Sequence, residues 1–167
     1  MDFSIFDYIS VTTFWSILFI VHALFAVTLL GALTHQAVSV LMPVRQPATA
    51  NFVTRFRAVQ GAGYATAICV LWAITFLMGA WIYIKYRVAI RIPLERAGFW
   101  KTQGFFDMKE HVVSVGLALL PAYWFLWKNK SPEYDHVRKW VTVLLAALCW
   151  FAFLVGHVVN NTRGFGS

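Results

Sequence analysis

The stretch Val11–Val40, VTTFWSILFIVHALFAVTLLGALTHQAVSV, contains no Asp, Glu, Lys or Arg. A membrane-spanning helix needs roughly 20 mostly apolar residues, because each adds about 1.5 Å against a hydrocarbon core of about 30 Å. The run exceeds that length, so it has room to tilt or to extend beyond the bilayer. Its apolar residues are continuous, whereas a strand of a membrane barrel is shorter and alternates between two faces. It therefore reads as a helix crossing a membrane.

Three further runs meet the same test: Tyr64–Ile84, His111–Trp127 and Trp140–Val159. With hydrophobic residues at 60% and charged residues at 13% over 167 positions, little remains for a water-soluble domain. The expected fold is all-α: one transmembrane domain over residues 1–167, a four-helix bundle with both termini on one side. Pro43 and Pro47 end the first helix, and Gly61, Gly63 and the Ser131-Pro132 pair punctuate other turns. Trp15, Trp81, Tyr83, Tyr86, Tyr123, Trp124, Trp127 and Trp140 fall where the water interface is expected and read as anchors. The N-terminus carries Asp2 and Asp7 in place of a basic leader, so the first span reads as retained. Cys69 and Cys149 lie inside spans and read as small hydrophobes, neither disulfide-bonded nor ligating.

Let side A bear the N-terminus and side B the opposite ends. Side B then carries Arg45, Arg55, Arg57, Lys128, Lys130, Arg138 and Lys139. Side A carries Lys85, Arg87, Arg91, Arg96, Lys101, Lys109 and Arg163. The tie leaves the flanks of the first helix to decide, and these point to side A outside, the periplasmic face of a bacterial inner membrane. The second loop, Lys85–Glu110, mixes cations with Ile90, Ile92, Leu94, Phe99 and Trp100, a composition suited to lying along the membrane surface. The net charge of +7 flanks spans and accompanies no nucleic-acid motif, so anionic membrane lipid is the expected partner and nucleic acid is not.

The histidines carry the remaining chemistry. His136 reads as solvated, and His35 as a polar tie between helices. His22, His111 and His157 sit on three different helices at similar depth in the side-A half. An ionisable group inside a span points to function, and imidazole ligates haem iron, zinc and copper. For haem b, two of these imidazoles would be axial ligands. Gly116, Ala118, Ala122, Ala152 and Gly156 would leave room for the macrocycle, and Arg87, Arg91 or Arg96 would meet the propionates. A bare copper or iron site is the competing chemistry, with Glu110 joining the three histidines and Asp107 as a further donor. The polar end Asn160-Asn161-Thr162-Arg163 suits a helix terminus.

Across its four spans, and on His22, His111 and His157, the chain resembles the small four-helix b-type cytochromes, including membrane-anchor subunits of respiratory oxidoreductases. The resemblance implies a haem between helices and electron transfer with other membrane subunits, a periplasmic-side redox protein or a quinone. Many di-haem members of that group carry two histidine pairs, whereas side B here offers only His35 within a span. No nucleophile with a base, phosphate-cradling glycine loop or carboxylate dyad is present, so catalysis by this chain alone is not expected. The alternative expectation is a cofactor-free structural or assembly subunit of a membrane complex.

Overall fold

A computed structural model describes residues 10–43, 52 and 61–162. Within them four helices are long and apolar enough to cross a membrane. The chain is an all-α four-helix bundle and an integral membrane protein. Its outward faces carry large apolar side chains, among them Leu24, Leu77, Ile84, Val115 and Leu154, each more than half exposed. Such a surface is stable facing hydrocarbon and would drive aggregation in water.

Helix α1 spans Val11–Leu41 and opens on Ser10, whose hydroxyl accepts the backbone N–H of Thr13 at 3.1 Å. It ends where Met42 leaves helical geometry ahead of Pro43. Helix α2 spans Gly61–Tyr86 and continues without a loop into a π-wound segment, Arg87–Arg91, and a short helix α3, Ile92–Arg96. Pro93 cannot donate to the carbonyl of Ala89, and the wide π turns lie directly before it. Helix α4 spans Trp100–Lys128, and α5 spans Asp135–Thr162 after a single 3₁₀ turn, Pro132–Tyr134.

The largest departure from the sequence reading lies at Lys85–Glu110. That stretch is helical on both sides of a tight reversal at residues 97–99. Gly98 adopts φ +79°, its N–H bonds to the Glu95 carbonyl at 3.1 Å, and the Phe99 N–H bonds to Leu94 at 2.9 Å. This is a glycine-dependent helix stop that satisfies the last carbonyls of α3. Residues 100–110 continue α4 because Gln103 and Phe106, three apart, both bury on one face. His111 is consequently well inside α4, where the sequence reading set it at the start of a span.

Neighbours in sequence are neighbours in space: α1 packs on α2 and α5, and α4 packs on α2 and α5. Two buried clusters result. The larger includes Leu33, Ile68, Trp72, Tyr123 and Leu145, and the smaller joins Tyr86, Ile90, Leu94, Phe106 and Val159. Trp72 lies across Gly116, where a Cβ would stand 2.1 Å from the indole. The room expected at Gly116 for a macrocycle is therefore already filled. Ala118 and Ala122 are exposed on the outer face, away from the interior.

Two aromatics expected at the interface are core residues instead. Tyr123 is fully buried and donates to the Gln36 side chain, and Tyr86 donates to Gln103 while stacking on Phe106 at 3.9 Å. Trp81, Trp100, Trp124 and Trp140 are exposed, as anchors must be. Cys69 and Cys149 are free. Asp2, Asp7, Arg45, Pro47, Arg55, Arg57 and Arg163 lie outside the described residues.

Candidate functional site

Between the two clusters the bundle is not filled. A cavity of about 320 Å³ opens at the level of His22, within the range of about 300–1,000 Å³ usual for ligand sites. Leu29, Trp72 and Cys149 of the larger cluster form one end, and Tyr86, Ile90, Phe106 and Val159 of the smaller cluster form the other. Small side chains on three helices keep it open: Ala23 and Ala26 on α1, Gly79 and Ala80 on α2, Ala152 and Gly156 on α5. A Cβ on Gly156 would meet nothing within 4 Å.

His22 projects into this space from α1. Its ring lies against Gly79, where a Cβ would approach Cε1 to 3.2 Å, so the glycine makes room for the imidazole. The backbone of Thr75 and the ammonium of Lys109 both act electrostatically on the ring. Its Nδ1 is buried with no hydrogen-bond partner among the described residues. Two more buried polar atoms without partners belong to the same walls: the indole Nε1 of Trp72 and the hydroxyl of Thr75. Elsewhere, buried or lipid-facing hydroxyls bond the carbonyl one turn back, as Thr28, Thr34 and Thr142 do. Thr75 stands apart. Burying a polar group without a partner costs roughly 1–3 kcal/mol, and among the described residues three such atoms line this one cavity.

His157 lines the cavity from α5, stacked parallel on Phe153 with centroids 6.4 Å apart. Its Nε2 is engaged by the Asn161 side chain at 2.9 Å, and its ring is otherwise exposed. The expected match in depth between α1 and α5 is thus realised in one cavity wall. His111 lies at the same level but is not in the wall. Lys109, Glu110 and Val113 line the cavity, and at roughly 100° per residue His111 points roughly 150° away from their mean direction. It is exposed, and its Nδ1 lies 2.8 Å from the Asp107 carbonyl.

The arginines expected at the propionates, Arg87, Arg91 and Arg96, also stand outside the cavity wall. Arg91 is paired with Glu95 at 2.8 Å, and Arg87 is exposed on the π segment. The cation at the cavity is Lys109, paired with Glu110 at 2.8 Å and lying over the Phe106 ring at 4.1 Å. Sequence reasoning passed over Lys109, and it passed over Trp72, Thr75 and Gly79, which recur at helical spacing along one face of α2. Among the described residues, no three His, Cys, Asp or Glu side chains come together to hold a metal ion.

On the side-B half a separate polar set ties helices. The Tyr64 hydroxyl donates to the Ala32 carbonyl at 3.1 Å and stands 3.3 Å from His35 Nδ1, in keeping with the structural reading of His35. His136 bonds only within its own helix, accepting from the Trp140 indole at 3.1 Å. No family model, curated protein or solved structure matches the chain.

Proposed function

We propose that the chain is a membrane electron-transfer subunit that holds one b-type haem in the cavity beside His22, as part of a larger respiratory complex. The observation that carries the reading is the His22 imidazole, its Nδ1 buried without a partner among the described residues, at the wall of a 320 Å³ cavity otherwise lined mostly by apolar groups. An imidazole on a helix facing an apolar slot is the usual way a bundle holds haem iron, and a haem supplies one-electron redox chemistry.

Within that reading, His22 is the residue that would hold the haem iron. The backbone of Thr75 acts on the ring and would help to orient it, as partners of ligating imidazoles commonly do. Gly79 sets the ring's approach. Lys109 is the cation placed to meet a propionate, in the role the sequence first suggested for Arg87 and Arg91. His157 is held by Asn161 and would be free to help hold the haem only if that contact were released, so His22 is the first residue that would hold it. His111 has no part in it. The bare copper or iron alternative gains no ligand set from these residues.

The electron donor and acceptor would be a quinone in the bilayer and a redox protein or subunit at side A, which is taken as the periplasmic face of a bacterial inner membrane. A reduced-minus-oxidised visible spectrum of the detergent-purified chain tests the proposal. A b-type signal near one haem per chain is expected, and a featureless spectrum from chain isolated with haem in excess would leave a structural subunit.

A further inference from the structure

We propose that the outer groove between the start of α4 and the end of α5 is a binding site for one anionic phospholipid. The groove has a volume of about 370 Å³ and is separate from the His22 cavity, with Val159 as a shared wall. Phe105 of α4 and Leu154 and Val158 of α5 line it, each about half exposed. Its polar end is a single pair, Lys101 and Thr102 in the first turn of α4. Trp100, next in the chain and 64% exposed, places that end at headgroup depth.

Charge decides what occupies it. Every carboxylate described on this side is already engaged: Glu95 with Arg91 at 2.8 Å, Glu110 with Lys109 at 2.8 Å, and Asp107 with the Gln103 amide at 3.0 Å. Lys85, Arg87, Arg96 and Lys101 have no ion pair among the described residues. Among the described residues the rim at this end is therefore net positive, and Lys101 is the member of it that stands at the mouth of an apolar groove. A soluble anion satisfies the cation and leaves the groove empty, and a neutral acyl chain does the reverse. An anionic phospholipid satisfies both, with its phosphate at Lys101 and Thr102 and one chain along Phe105, Leu154 and Val158.

The test is native mass spectrometry of the full chain in detergent, titrated with phosphatidylglycerol or phosphatidylcholine. One phosphatidylglycerol per chain is expected to remain bound under conditions that strip phosphatidylcholine. A surface cation contributes about five-fold to such binding, so Lys101→Gln should weaken retention by about that factor. Leu154→Trp, which fills the groove from the lipid side, should abolish it, and Lys139→Gln at the other end of the bundle should leave it unchanged. Millimolar inorganic phosphate should not displace the lipid. Equal retention of the two lipids, wild-type retention in both groove variants, or displacement by phosphate alone would overturn the proposal. So would a two-chain particle that Leu154→Trp splits, because the groove would then be an interface between copies.

Discussion

Gly116→Ala tests how the cavity is bounded. The added methyl carbon would stand 2.1 Å from Cζ2 and 2.6 Å from Cη2 of Trp72, so the indole must move. Trp72 is 2% exposed and wedged in the larger cluster, and the free volume beside it is the cavity it already lines. Overpacking a filled core usually costs about 1–3 kcal/mol, and a rigid bicycle met at this distance belongs at the upper end, about 3 kcal/mol. For a chain of this size that corresponds to a melting temperature lower by roughly 6–12 °C. Circular dichroism melts in one detergent measure it. The double variant with Trp72→Leu should recover most of the loss, since the three atoms nearest the added carbon all belong to Trp72. Trp72 lines the cavity, so under the haem proposal Gly116→Ala should also lower haem content. A melting temperature within a degree of wild type would refute the packing argument.

Three other outcomes follow from the geometry. Tyr123→Phe removes the donor to the Gln36 side chain, leaving a fully buried amide with less than it needs; a loss of about 1 kcal/mol in a thermal melt is expected, and adding Gln36→Leu should restore stability. Gly98→Ala forces a side chain into φ +79°, costing about 1 kcal/mol and loosening the α3–α4 reversal, read as faster amide exchange at Phe99. Lys109→Gln removes the cation at the cavity, and if Lys109 meets a propionate the haem midpoint potential should fall while the spectrum stays b-type; an unmoved potential would take Lys109 out of the site.

How much was legible in the sequence differs between levels of structure. The spans read directly, because a continuous apolar run of more than about 20 residues has few alternatives. The stretch from Lys85 to Glu110 did not, because its cations and polar groups suggest a loop by composition. Here the three-residue spacing of Gln103 and Phe106 and the left-handed Gly98 override that signal. The meeting of two of the three histidines was also legible: His22 and His157 line one cavity, while His111 does not. Rotation about the helix axis was not. An error of one or two residues in the helix phase turns a side chain by roughly 100–200°, and that separates His111 from Lys109. Small residues were equally ambiguous, since Gly116 admits an indole, Gly156 faces open space, and Ala118 faces outward. The groups without partners on Trp72 and Thr75 carry no sequence signature, because their lack of partners exists only once the helices are packed.

The account turns on His22 as the group the cavity is built around, with His111 excluded. The most direct measurement is the pyridine haemochrome content per chain of the wild type, His22→Ala and His111→Ala, each purified after expression with haem in excess. The account predicts near one haem per chain in the wild type and in His111→Ala, and almost none in His22→Ala. Equal haem in His22→Ala and wild type, or loss confined to His111→Ala, would contradict it.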